Sequence, residues 1–260
     1  MDMVNDVPHE AEELTAEDQT FETLRSLDVM AASIERYGVH PDQIIEWFGP
    51  DDGKLVCFIH GGFFHEDGTL AYLRPAAFAL GEAGFRVALP EYRRLKKNVE
   101  ATFEDLRTLA LLPQLQGAIW IGHSLGGALA ADVLFDDELP VTHAVLLAPI
   151  LDLARDVNER GIREHSSTAK FMGGLPEDIP DVYERFEPLK AYERIEPAGF
   201  ASRGLRLDII HGANDETVPV QRSRDLAQEP FNIAVVPGAN HSDLIRPGHD
   251  AWLLLLGALN

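Results

Sequence analysis

Short apolar, β-rich runs recur along this chain with helical stretches between them, and few folds accept that alternation. The runs cover residues 44–48, 55–59, 86–89, 118–121, 144–147, 207–210 and 233–236, with helices predicted over 75–82, 102–112, 125–135, 220–227 and 249–256. Strands that alternate with helices pair mostly in parallel, so the pattern predicts an α/β fold with a mostly parallel central sheet and helices on both faces. In such sheets functional groups collect beyond the carboxyl ends of the strands. The chain has 260 residues, 45% of them hydrophobic, enough for one substantial core. A single domain is predicted over 21–260, preceded by an acidic lead-in over 1–20, dominated by "HEAEELTAEDQ", with no expected catalytic part. Phe21, Leu24, Leu27, Met30 and Ile34 share a helical spacing, so 21–37 reads as a helix with room for a break midway. Thr102 and Asp105 read as the start of the 102–112 helix.

Charge narrows the partners. A formal net charge of -21 repels phosphate backbones and anionic bilayer surfaces, which argues against nucleic acid and membrane partners. The amino-terminal stretch has no basic flank followed by an apolar run, so no signal peptide is expected. The "WLLLL" run at 252–256 is far too short to span a bilayer. One cysteine, Cys57, sits inside an apolar run and predicts no internal disulfide, in keeping with a reducing cytoplasm.

The stretch "IWIGHSLGGALAADVL", 119–134, passes from a strand-like run to a helical one within a few residues, with Ser124 on the corner. In Gly122-His123-Ser124-Leu125-Gly126 the glycines permit a tight strand-to-helix turn that lifts the serine oxygen above the sheet edge. The same glycines also suit plain close packing. Chemistry therefore requires partners: a base to take the serine proton, and an acid to hold the base's tautomer and stabilise its charge. "IIHGANDETVP", 209–219, leaves a strand run and places Asp215 in a turn, and "VVPGANHSDLIRP", 235–247, does the same for His241. An Asx turn and a loop histidine would explain either alone; three such residues in the order Ser124, Asp215, His241 point to a triad. An oxyanion also needs donors, and "FIHGGFFHEDG", 58–68, ends a strand in two glycines. The amides of Gly62, Phe63 and Leu125 are the candidates.

Between 151 and 204 the alternation lapses into "FMGGLPEDIPDVYERFEPLKAYERIEP" and neighbouring turns. A stretch this long reads as a cap over the site. Its Phe171, Met172, Tyr183, Phe186 and Tyr192, with Phe64, Tyr72 and His123, form the candidate substrate pocket, although the cap aromatics could equally pack on the body. His60, His65, Glu66 and Asp67 lack the spacing of a metal site, and none is predicted. Arg93 in "PEYRR" is expected to anchor loops by ion pairs, and His211 to be packed.

The segments "HGGFF" (60–64), "PEYRR" (90–94), "GHSLGG" (122–127), "LAPILDL" (147–153), "HGANDETVP" (211–219) and "GANHSDL" (238–244) together resemble the α/β-hydrolase superfamily, and more closely its small esterase and arylformamidase (kynurenine formamidase) branch. The resemblance runs from about residue 44 to the carboxyl terminus. It implies the α/β-hydrolase fold and acyl transfer to water through an acyl-serine, without a cofactor. The substrate implied is a small, largely apolar carboxylic ester, or an N-formyl-arylamine such as N-formylkynurenine. Formamidases of this type usually read HGG-x-W, and this chain has Phe64 at the tryptophan position and Leu125 where alanine often follows the serine. A ligand-binding protein that kept the fold without its chemistry is the reading from another class. A monomer or a homodimer is compatible with the sequence.

Overall fold

The computed structural model describes residues 15–62, 68–95, 98–159, 161–163, 166–195, 197–226 and 231–260. Eight strands appear among them: β1 Ser33–Arg36, β2 Ile44–Phe48, β3 Lys54–Ile59, β4 Phe85–Pro90, β5 Ile119–His123, β6 His143–Leu147, β7 Arg206–Gly212 and β8 Asn232–Val236. They form one sheet in the order β1-β2-β4-β3-β5-β6-β7-β8. The β1–β2 and β2–β4 pairs are antiparallel, and from β4 through β8 every pair is parallel. All seven predicted runs are strands, and the fold is the expected α/β sheet.

The helices are α1 Ala16–Ser26, α2 Arg74–Glu82, α3 Val99–Leu111, α4 Leu125–Phe135, α5 Leu153–Glu159, α6 Ser167–Met172, α7 Pro180–Phe186, α8 Pro188–Arg194, α9 Pro197–Ser202, α10 Gln221–Arg224 and α11 Asp250–Leu259. Because successive side chains of a strand point to opposite faces, β3 sends Val56 and Phe58 to one core and Cys57 and Ile59 to the other. The first core gathers Leu73 just before α2, Ala76 and Leu80 of α2, Trp252 and Leu255 of α11, and Leu24 of α1. The second gathers Leu106 and Leu109 of α3, Leu129 and Phe135 of α4, and the cap helices. Covered on both faces, the parallel strands read as near-continuous apolar runs, which is why they were visible in the sequence.

The amino-terminal elements differ from expectation. The helix is not 21–37: it begins at Ala16, inside the acidic stretch, and ends at Ser26. Thr15 and Asp18 make a reciprocal capping box that starts it. Met30 and Ile34 are 81% and 64% exposed, so the helical spacing joined two separate elements. Ser33–Arg36 is instead edge strand β1, exposed along its whole length, and its ladder to β2 is reinforced where Trp47 Nε1 donates to Glu35. An edge strand with no buried face has no period-two hydrophobic signal to read. Helix α3 likewise starts three residues before Thr102, with Asn98 as its cap. Thr102 donates to the Arg93 carbonyl, and buried Asp105 accepts from Arg93 and Gln43. Those two residues anchor the "PEYRR" loop, as expected of Arg93, rather than cap the helix.

The β5–α4 turn depends on two glycines. A methyl group at Gly122 would lie 2.2 Å from the Gly126 carbonyl oxygen, and one at Gly126 would lie 2.2 Å from the Ile59 carbonyl oxygen. Both clashes are with backbone, which cannot swing aside. Gly122→Ala should therefore lower unfolding stability by more than about 2 kcal/mol, read as a shift in urea midpoint; an unchanged midpoint would contradict this packing.

Candidate active site

Ser124 sits between β5 and α4 with φ 58° and ψ -121°, a conformation unfavourable for a residue with a Cβ. The turn is held where the Ser124 amide donates to the Leu147 carbonyl and the Gly127 amide to the Ser124 carbonyl. Beyond β6, Asp215 lies in the loop after β7 and His241 in the loop after its neighbour β8. The two loops touch backbone to backbone, the Asn214 amide donating 2.9 Å to the Ala239 carbonyl. His241 Nδ1 lies 2.8 Å from Asp215 Oδ2, and the imidazole and Ser124 line the same cavity. Among the described residues no hydrogen bond joins the serine hydroxyl to the ring, a looseness common before substrate binds.

Asp215 is held as a carboxylate. Burial alone would raise its affinity for a proton, but the His241 charge, hydrogen bonds from His211 and His241, and the Val218 amide at 2.6 Å outweigh it. The carboxyl therefore titrates well below the usual carboxylate range. His211 is packed as expected, between Ser223 and the Val218 carbonyl, and it also reaches Asp215 at 3.2 Å.

The expected oxyanion donors fall on two elements. The end of β3 abuts the turn: a methyl group at Gly61 would lie 3.0 Å from Ser124 Cβ and 3.3 Å from the Leu125 nitrogen. Gly62 lines the cavity with Ser124 and has φ 117°. Leu125 is the first residue of α4, where a helix leaves its amides without internal acceptors. Phe63 and Phe64 lie outside the described residues.

Tyr72 and His123, expected as pocket residues, do line the cavity and also connect its walls. The Tyr72 hydroxyl accepts from the Gly61 amide at 2.6 Å and donates to His123 Nδ1 at 3.1 Å; His123 Nε2 donates to the His241 carbonyl at 3.2 Å. One chain of hydrogen bonds thus runs from the end of β3 to the loop that carries His241. His60, offered as a weak metal candidate, instead lies 2.8 Å from Glu91 and stacks on Tyr92. Burial opposes the Glu91 charge, yet His60 and Arg94 lower its carboxyl to about 2. Among the described residues there is no cluster of three or more His, Cys, Asp or Glu side chains able to hold a metal ion.

The cavity over Ser124 measures about 40 Å³ and is walled by Glu17, Asp18, Phe21, Gly62, Tyr72, His123, Thr217, His241 and Ser242. Helix α1 contributes three of these, so the end of the acidic stretch, expected to have no catalytic part, walls the cavity. The sequence carried one usable signal, the Thr15-x-x-Asp18 cap; the burial of Glu17 had none. The five cap residues do not line this cavity. Phe171, Met172 and Tyr183 are buried in the core under the cap, Tyr192 packs 5.4 Å from Phe135 and 4.9 Å from Phe231, and Phe186 packs 4.6 Å from Phe103. Phe186 faces a separate cavity of about 500 Å³ beside Asp132 and Arg107. The reason is helix length: α6, α7 and α8 have six or seven residues each and cannot persist without docking their apolar faces.

Burial, and then the nearby His241, hold the His123 imidazole well below its ordinary range, so it stays neutral where an unfolded histidine would begin to charge. The unfolded chain then binds the extra proton, and this residue's effect on stability worsens as pH falls below about 6.5. Nitrogen-15 NMR should show His123 as the Nε2–H tautomer with no titration between about pH 5 and about pH 8; a titrating ring would break the hydrogen-bond chain drawn above.

Comparison with known proteins agrees with this fold. The chain superposes on Thermogutta terrifontis esterase 2 with a TM-score of 0.62 at 19% identity, covering 90% of this chain and 92% of that one. It superposes on esterase B from Lactobacillus rhamnosis with a TM-score of 0.68 at 16% identity, covering 93% and 89%. At such identities the likeness is one of fold. No curated protein matches the chain. A family model matches residues 58–251, well over half of the sequence and spanning the β3 glycines, the Ser124 turn and the Asp215 and His241 loops, and by that match the chain belongs to the alpha/beta hydrolase family.

Proposed function

We propose that this protein is a serine hydrolase of small carboxylic esters with short acyl groups. One observation carries the reading: Ser124, raised on a strained turn, shares a single cavity with His241, whose far nitrogen is bound to a buried carboxylate. The Ser124 hydroxyl attacks the ester carbonyl while its proton passes to His241 Nε2. The amides of Gly62 and Leu125 receive the developing oxyanion, with that of Phe63 as the third expected donor. His241 returns the proton to the departing alkoxide as the carbon–oxygen bond breaks, leaving an acyl-serine. Water then repeats the sequence, losing its proton to His241, and the acid and free serine are released. Asp215, already ionised, stabilises the imidazolium in both halves.

The short acyl preference follows from volume. Ordinary small-molecule sites occupy roughly 300–1,000 Å³, whereas this cavity has about 40 Å³. The esterase 2 neighbour has been observed with propionate and with butyrate bound, and esterase B with a C4 tributyrin phosphonate. The narrow cavity would also admit a one-carbon acyl group, so hydrolysis of an N-formyl-arylamine by the same residues is the second reading; rates on an aryl acetate and on N-formylkynurenine, measured side by side, separate the two. No helix among the described residues is long and apolar enough to cross a membrane. Cys57 is buried in β3 and unpaired, which suits a reducing cytoplasm.

A fluorophosphonate should label Ser124 in the folded protein, and Ser124→Ala should fold yet lose hydrolysis by several orders of magnitude, on the order of 10⁶ for a comparable triad. Absence of labelling would favour a non-catalytic binding protein. For acyl size, Phe21→Ala should open the cavity and raise kcat/KM for a butyrate relative to an acetate ester by about tenfold, the scale of a methylene-sized pocket contact. Phe186→Ala should leave that ratio within about twofold, since Phe186 faces the other cavity. The reverse pattern would return acyl selection to the cap.

A further inference from the structure

Glu17 is a charged side chain only 7% exposed, at the second position of α1, more than a hundred residues from any member of the triad. Burying a carboxylate is costly unless hydrogen bonds replace its water. Here the replacements are specific. Oε2 accepts from the Glu216 amide and from the His241 amide, each at 3.2 Å, and Oε1 accepts from the Thr217 hydroxyl. Those donors belong to the residue directly after the triad acid, to the next one, and to the base itself.

The His241 residue is thereby held at three points. Its amide is bound to Glu17, its carbonyl to His123 Nε2, and its ring to Asp215. Glu17 adds a side-chain clasp to the loops after β7 and β8, which already meet at the Asn214 amide and Ala239 carbonyl and at the Asp215–His241 pair. Its own place is secured by the capping box at Thr15 and Asp18, by buried Leu24, and by the Phe21 ring 5.0 Å from Tyr72. A helix whose buried contacts are this few would serve poorly as a general stabiliser, yet it delivers one carboxylate to two catalytic loops.

We propose that Glu17 is a positioning residue of the hydrolase, clasping the acid and base loops so that the His241 ring stands over Ser124. The proposal rests on the serine hydrolase reading. It acts through hydrogen-bond geometry rather than charge: a glutamine can accept both amides on its carbonyl oxygen and donate its amide to the Thr217 oxygen.

The test uses full-length Glu17→Ala, Glu17→Gln and Glu17→Asp with an aryl acetate, alongside melting temperature and the rate of fluorophosphonate inactivation. Glu17→Ala should lower kcat by about tenfold or more with KM changed by less than about threefold, and slow inactivation in the same proportion, because base alignment rather than binding is lost. Glu17→Gln should keep kcat within about threefold of wild type, a rescue that a merely structural helix would not require. If Glu17→Ala fails to fold, Glu17→Asp, one methylene short of both amides, should show the same fall in kcat without a matching rise in KM. Wild-type kcat in Glu17→Ala, or in a folded Glu17→Asp, would overturn the proposal, as would a Glu17→Gln as impaired as Glu17→Ala. If wild type itself resists the fluorophosphonate, the hydrolase reading falls and this one with it; if wild type and Glu17→Ala react equally fast, only the role of Glu17 falls.

Discussion

The backbone of β5 and the first turn of α4 approach each other, and the end of β3, more closely than any side chain would allow. Gly122 faces the Gly126 carbonyl, Gly126 faces the carbonyls of Ile59 and His60, and Gly61 faces Ser124 itself. That contact sets the sharp turn, the turn puts Ser124 at a positive φ, and the strained residue projects its hydroxyl beyond the sheet. The same approach brings the end of β3, with its glycine amides, beside the first amides of α4. The positions proposed for nucleophile and oxyanion donors are thus consequences of one close packing.

Around that rigid centre the loops are tied by buried polar groups, each with its partners. Tyr72 and His123 link the β3 strand end to the base loop, His211 and the Val218 amide fix the acid, and Glu17 bridges acid loop and base loop. Satisfied networks of this kind specify one arrangement, because any partial arrangement leaves a buried donor or charge unpaired. Glu91 plays the equivalent part beneath the β3 glycines, accepting from the Leu70 and Tyr92 amides while pairing with His60 and Arg94. The candidate site is therefore held as one connected unit although its residues are spread over more than two hundred positions.

Two segments could have roofed the site, and the structure uses the less obvious one. The insertion after β6 folds into short helices whose aromatic faces are consumed in docking against α3 and α4. Helix α1, from an acidic segment with little apolar content, supplies Glu17, Asp18 and Phe21 to the cavity instead.

The sequence by itself determined the sheet and the order of the loops that meet at the candidate site. Strands buried under helices on both faces must be largely apolar, so the inner strands declared themselves, and only glycine satisfies the contacts at 122 and 126, so the turn declared itself too. Asp215 and His241 were legible because each follows a strand end, where a parallel sheet delivers its loops to one edge. What tertiary structure decided is everything that depends on which distant groups meet. An exposed edge strand such as β1 carries no periodic signal, and an aromatic residue in a short helix reads the same whether it faces a substrate or a neighbouring helix. A glutamate in an acidic run looks solvated until its amide partners, some two hundred residues away, are brought to it by folding. Burial and pairing are properties of the assembled chain, and those are what chose α1 over the cap.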